Sequence, residues 1–243
     1  MRYRTRRRLV HVRLVRRAIA AYLRARWRRL ALAFAGVALP LMLFAFFAED
    51  VHDGDPFPFD EPLLLAAKAH ESLAMDRVML VGSELGYRMG VVPVDFLLVT
   101  GLLATRRLRP GLFAAVAIGG SALLNLAAKA VFQRARPDLW LSIAPEHNFS
   151  FPSGHAMGSA TLAATVLLLV WHTRWRGPAA LLGLAFMVWV ASSRIYLGVH
   201  WPSDIIAGWA AAIAWVVATY LIVRPRRAPQ YAQTRLRPDS LAR

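Results

Sequence analysis

A lysine, two arginines, two histidines and an aspartate recur at the ends of long apolar runs: Lys129 and Arg136 in one stretch, His155 in a second, and Arg194, His200 and Asp204 in a third. Ionisable groups are costly at the edge of hydrocarbon, so such a set points to a functional site. The residue types suit one kind of chemistry. A guanidinium grips anionic oxygens as a bidentate fork and an ammonium as a point charge. An imidazole attacks an electrophile or carries a proton, and a carboxylate bonded to one ring nitrogen leaves the other free to react. Together they fit the handling of a phosphoryl group.

In Lys129-Ala130-Val131-Phe132-Gln133-Arg134-Ala135-Arg136-Pro137, the proline holds the residue before it in extended geometry. The helix must therefore stop before Arg136 and leave that guanidinium on a loop, with Lys129 about two turns earlier. Snorkelling cations at a helix end are the ordinary alternative. In Phe149-Ser150-Phe151-Pro152-Ser153-Gly154-His155, Ser153 suits a helix N-cap, and Gly154 leaves backbone amides open to an anion. His155 then stands at the rim of that anion site. In the stretch from Ser193-Arg194 to Asp204, Pro202 fits the first turn of a helix. Asp204 follows His200 by four residues, close enough to reach the imidazole across one turn. An interfacial histidine satisfied by a capping aspartate has the same spacing.

The elements that must position these groups are set by composition. Of the 243 residues, 57% are hydrophobic, mean hydropathy is positive, and the apolar residues come in blocks, which excludes an ordinary soluble domain. Six runs, at about 30–48, 88–105, 111–131, 155–172, 179–197 and 203–223, approach the roughly 20 residues a spanning helix needs. The expected fold is all-α, an integral membrane bundle of six transmembrane helices with an amphipathic interfacial helix. Residues 30–223 make up this membrane domain, between basic cytoplasmic tails at 1–29 and 224–243. The first run, behind a long basic leader and without a small-residue cleavage site, reads as a retained helix rather than a signal peptide.

The formal net charge of +16 is concentrated in those tails, with twelve arginines between Arg2 and Arg29 and six after Val223. Arg106, Arg107 and Arg109 occupy one short loop and Arg174 and Arg176 another. With the N-terminus cytoplasmic, six crossings put both tails and both loops on the cytoplasmic side, as the positive-inside bias predicts. Tails of this kind meet anionic lipid headgroups rather than nucleic acid, for which stacking aromatics are sparse. The same topology gathers the three polar clusters at the outer face. Between Glu49 and Tyr87 the chain reads as an acidic, turn-rich loop followed by an amphipathic helix over 61–81 in the interface. His52, Asp53 and Asp55 read as a solvated turn rather than a metal site. Asp95, inside the second run, is expected to find a partner in a site cation or a neighbouring helix.

The three clusters together resemble the signature of the type 2 phosphatidic acid phosphatase superfamily, which also includes bacterial acid phosphatases and vanadium haloperoxidases. Its parts are Lys, six residues, Arg-Pro; then Pro-Ser-Gly-His; then Ser-Arg, five residues, His, three residues, Asp. Lys129 with Arg136-Pro137, Pro152-Ser153-Gly154-His155, and Ser193-Arg194 with His200 and Asp204 match every position. The resemblance implies a metal-independent membrane phosphatase, without cofactor, acting on a lipid phosphate or pyrophosphate. His200 is then the nucleophile that forms a phosphohistidine, Asp204 its orienting carboxylate, and His155 the acid and later the base. Lys129, Arg136, Ser153, Gly154 and Arg194 hold the phosphoryl oxygens. The substrates it admits include undecaprenyl pyrophosphate, phosphatidic acid, phosphatidylglycerol phosphate and diacylglycerol pyrophosphate. Two other readings are a vanadate-dependent haloperoxidase, set against the membrane spans, and a non-enzymatic protein that binds or transports a lipid phosphate. The implied location is a bacterial inner membrane, multi-pass, with both termini cytoplasmic and the site on the periplasmic face.

Overall fold

The computed structural model describes residues 24–27 and 30–223. The tails expected at 1–29 and 224–243 thus lie outside the described residues, apart from 24–27. Among the described residues the chain is helical and contains no strand. The helices are α1 (Leu30–Asp53), α2 (Asp60–Lys68), α3 (Leu73–Leu85), α4 (Val91–Ala104), α5 (Leu108–Phe132), α6 (Gly154–Val170), α7 (Arg176–Tyr196) and α8 (Pro202–Val223). Of these, α1, α5, α7 and α8 are long and apolar enough to cross a membrane, while α4 and α6 are shorter apolar helices. Each apolar run of the sequence coincides with one of these six.

The sequence sets where the helices break. Pro40 offers no N–H to the turn before it, and α1 widens into a π-helical stretch at Phe34–Ala38, where Leu39 N–H bonds Phe34 O instead. The helix then runs five residues beyond the apolar run and ends where Gly54, at φ +81°, supplies a left-handed cap. The single amphipathic helix expected over 61–81 is two helices. Ser72 takes an extended backbone and its Oγ accepts from Met75 N–H at 3.3 Å, so a new helix starts there rather than the old one continuing.

The helices pack through small residues. In α8, Ala207, Gly208, Ala210, Ala212 and Ala214 are buried, and α6 meets them with Ala156, Ser159 and Ala160. Such residues let backbones approach closely where no water drives association. Large apolar side chains point outward, among them Leu123 and Leu126 on α5, Leu181 and Leu182 on α7 and Ile222 on α8. This arrangement, small inside and large outside, suits a hydrocarbon surround. Against α7, a Cβ on Gly82 would lie 2.8 Å from Trp189 Nε1, so only glycine lets α3 sit this close. Tyr196 Oη–H adds a bond to Asp76 Oδ1 at 2.5 Å.

Candidate active site

The three clusters converge at one end of the bundle. The C-terminal end of α5, the loop at 133–153, the first turn of α6 and the α7–α8 junction carry every residue singled out by type and spacing. Helix α5 ends at Phe132, before Arg136 as expected, with Gln133 in left-handed geometry and its N–H on Lys129 O. The loop that follows returns to α6, where Ser153 caps through Ala156 N–H at 3.4 Å. Gly198, at φ +67°, turns the chain out of α7, and a Cβ there would lie 2.6 Å from Trp140. Two residues later His200 enters the site, just ahead of α8.

His200 and Asp204 are both buried, and Nδ1 lies 3.2 Å from Asp204 Oδ2. The opposite ring nitrogen, Nε2, stands 3.1 Å from Arg136 Nη1. A guanidinium only donates, so Nε2 must accept, and the proton belongs on Nδ1 facing the carboxylate. That tautomer leaves the Nε2 lone pair as the reactive one. Burial, then the charges of Arg136, Arg194 and Lys129, hold the His200 pKa well below its ordinary value of 6.5. The imidazole is therefore neutral at neutral pH.

The cations surround this ring. Arg136 donates to Asn148 O at 2.7 Å and to Glu146 Oε2 at 2.6 Å, and it also bonds Val199 O and Asn148 Oδ1. Burial lowers the Arg136 pKa, while Glu146 and Asp204 pull it back up. Arg194, 1% exposed, bonds Ser83 Oγ and Glu146 Oε1. Lys129 Nζ bonds Phe149 O. Beside them lies a cavity of about 420 Å³, lined by Lys129, Glu146, Gly154, His155, Arg194 and Tyr87 among others. His155 packs against Tyr87 with ring centroids 5.3 Å apart and the planes tilted by 42°, and its Nδ1 stands 3.8 Å from Glu146 Oε1. The volume exceeds that of one phosphoryl group, and its lining puts positive charge, an imidazole and a glycine amide around one space.

Of the expected residues, Lys129, Gly154, His155 and Arg194 line the cavity, while Arg136, His200 and Asp204 stand behind that lining. Ser153 is fully buried and its hydroxyl is engaged in capping α6, so it shapes the wall beneath Gly154 rather than facing the cavity. Its N–H also bonds Asp204 O at 3.1 Å, tying α6 to α8. Asp95 differs from expectation: Oδ1 is buried with no hydrogen-bond partner among the described residues, and the site cations are engaged elsewhere. Residues 52–55 close α1 and lead into the next loop, and among the described residues no three His, Cys, Asp or Glu side chains are grouped to hold a metal.

The structure adds residues that spacing did not single out. Glu146 bridges Arg136 and Arg194, Ser83 reaches in from α3, and Asn125 Nδ2 donates to Pro152 O at 3.1 Å behind Gly154. Arg134 and Asp60 form a second ion pair behind Asp204. Only Arg134 carried a signal in the sequence, as a further cation inside the first cluster.

The PAP2 superfamily model matches residues 110–228, which contain all three clusters. Phosphatidylglycerophosphatase B of Bacillus subtilis (strain 168) is 29% identical over 182 residues, spanning 72% of this chain and 89% of the relative. Undecaprenyl-diphosphatase of Sulfolobus acidocaldarius is 29% identical over 163 residues, 65% of this chain and 75% of the relative. The crystal structure of a transmembrane PAP2-type phosphatidylglycerolphosphate phosphatase from Bacillus subtilis superposes with a TM-score of 0.67 at 26% identity, covering 79% of this chain and 98% of that one.

Proposed function

Through residues 110–228 the chain belongs to the PAP2 superfamily, and we propose that it hydrolyses a lipid phosphate or pyrophosphate through a phosphohistidine on His200. The observation that carries this reading is the His200 ring itself, with Nδ1 facing Asp204 and Nε2 facing the cation Arg136. The substrate's phosphoryl group displaces the Glu146 carboxylate from Arg136 and Arg194 and takes over their N–H donors, with Lys129 and the Gly154 amide completing the clamp. His200 Nε2 then attacks phosphorus. As the P–N bond forms and the P–O bond to the leaving group breaks, His155 gives its proton to the departing oxygen. In the second half His155 takes a proton from water, the new P–O bond forms, and the P–N electron pair returns to Nε2. Asp204 keeps its hydrogen bond to Nδ1 throughout and steadies the positive charge that develops on the ring. Lys129, Arg136 and Arg194 supply the positive charge that this transition state requires.

The topology that fits this chemistry has six crossings, with α4 and α6 as the shorter spans and α2 and α3 in the interface. Both basic tails lie on the cytoplasmic side of a bacterial inner membrane, and the site faces outward. The distribution of arginines in the tails and at the α4–α5 and α6–α7 junctions, where Arg106, Arg107 and Arg109 and then Arg174 and Arg176 stand, supports that orientation. In it the cavity opens where a lipid headgroup meets water, and the names of the two sequence relatives support phosphatidylglycerol phosphate and undecaprenyl pyrophosphate as substrates to compare first. The test is phosphate release by the purified protein in detergent with excess chelator. Turnover is expected to persist without added metal and to vanish in His200→Ala and His155→Ala. Wild-type turnover in His200→Ala refutes the nucleophile, and loss of turnover to the chelator refutes the metal-free scheme.

A further inference from the structure

Behind the His200–Asp204 pair lies a second set of charges, outside the cavity. Arg134, two residues before Arg136 on the same loop, turns the other way. Its Nη1 donates to Asp204 Oδ1 at 2.6 Å and to Ser203 Oγ at 2.7 Å, and its Nη2 donates to Asp60 Oδ2 at 2.9 Å. Asp60, in the first turn of α2 and 3% exposed, accepts Ser203 N–H at 2.8 Å on Oδ1 and Ser203 Oγ–H at 2.6 Å on Oδ2. The guanidinium also lies 5.5 Å from the ring centroids of Phe57 and Trp201, a slot that holds its plane.

The two oxygens of Asp204 thus have separate tasks. Oδ1 is held by Arg134, while Oδ2 takes His200 Nδ1–H and the Trp201 backbone N–H at 3.0 Å. A carboxylate with only the imidazole and one amide as partners is free to rotate about its Cβ–Cγ bond. With Oδ1 pinned by a partly buried guanidinium that is itself pinned by Asp60, that rotation is closed. One cation also sits between two carboxylates, so the charge of Arg134 is shared between Asp60 and Asp204 rather than matched to Asp204 alone. We infer that Arg134 and Asp60 are positioning residues that fix the plane and charge of Asp204 and, through it, the tautomer and aim of His200. Neither lines the cavity and both reach His200 only through Asp204, so they act on the chemical step and not on lipid binding. The inference rests on the proposed role of His200 as nucleophile.

The test measures kcat, KM and the pH profile of kcat/KM in detergent for Arg134→Gln, Arg134→Lys and Asp60→Asn, with His200→Ala alongside. Arg134→Gln is expected to lose about 100-fold in kcat with KM within about twofold, the pattern of an interaction made in the transition state. Arg134→Lys keeps the charge without the fork and is expected to recover about tenfold of that loss. The groups facing the His200–Asp204 pair are Arg134 and Arg136 from the loop, Lys129 from α5, His155 from α6 and Arg194 from α7, with Asp60 and Glu146 paired to the two loop arginines behind them. Taking the Arg134 cation out of that set eases protonation of His200, so the acid limb of Arg134→Gln moves to higher pH while that of Arg134→Lys stays. A purely structural brace would lower the active fraction and leave the limb in place. If Arg134→Gln does not fold, Asp60→Asn, nearly isosteric, carries the test with about a tenfold fall in kcat at unchanged KM and melting midpoint. Wild-type kcat in Arg134→Gln or Asp60→Asn, or a lower kcat with an unmoved acid limb in Arg134→Gln, overturns the inference. Turnover in His200→Ala overturns the nucleophile assignment instead, so the two failures are told apart.

Discussion

Replacing Asp204 by asparagine tests the proposed catalytic geometry at one atom, because every group around that carboxylate is a donor. Arg134 donates to Oδ1, and Trp201 N–H and His200 Nδ1 approach Oδ2. An asparagine has a single oxygen. Turned toward His200, it leaves its NH2 against the Arg134 guanidinium, and turned toward Arg134, it presents NH2 to Nδ1 and drives the ring to the tautomer with the proton on Nε2. The second state has no lone pair where phosphorus must be attacked. Loss of the orienting carboxylate in a triad costs about 10⁴ in kcat, and a fall of about 10³ to 10⁴ is expected here, or about 4 to 5.5 kcal/mol of barrier. Asp60 still pairs Arg134, so the guanidinium is not stranded, and the stability loss is held to about 1–3 kcal/mol for the buried donor–donor mismatch. Phosphate release from phosphatidic acid in detergent micelles, with a melting curve on the same preparation, measures both. A kcat within tenfold of wild type, with the protein folded, would refute the carboxylate's role.

Glu146→Gln removes the anion that bridges Arg136 and Arg194, so inorganic phosphate should inhibit about five- to tenfold more tightly, on the scale of a partly exposed ion pair worth about 1 kcal/mol; an unchanged inhibition constant contradicts the displacement step. The pKa of His200 lies well below 6.5, which means protonation removes the nucleophile only at more acid pH. The acid limb of kcat/KM, corrected for the substrate's own second ionisation, is thus expected below the ordinary histidine value, and a limb at 6.5 or above argues against a buried neutral ring. Gly198→Ala places a Cβ 2.6 Å from Trp140 at φ +67° and should destabilise the protein by about 2–3 kcal/mol, read as a lower melting midpoint with a matching loss of turnover.

Local spacing made part of this site legible. The four-residue step from His200 to Asp204 is one helical turn, the proline after Arg136 forces a loop, and Ser153 caps the helix that follows, so each was readable without a fold. The apolar runs marked the helices for the same reason, since a stretch near the length of a membrane crossing is a property of consecutive residues. The interfacial segment was less legible. Hydrophobic periodicity over 61–81 continues through Ser72, and only the cap geometry there divides it into α2 and α3.

What the sequence by itself determined is the set of reactive groups, their order and the apolar segments that carry them. Tertiary structure alone decided which donor meets which acceptor across the long separations. Arg134 and Asp60 are 74 residues apart, Arg194 and Ser83 are 111 apart, and Glu146 reaches Arg194 across 48. Each pairing depends on the path of the 133–153 loop and on how closely α3 and α7 pack, which no short window of sequence encodes. The physical reason is the low-dielectric interior. A charge buried at the head of a helix bundle must find a counter-charge or a carbonyl within hydrogen-bond reach, and which one it finds is set by the helices that close around it.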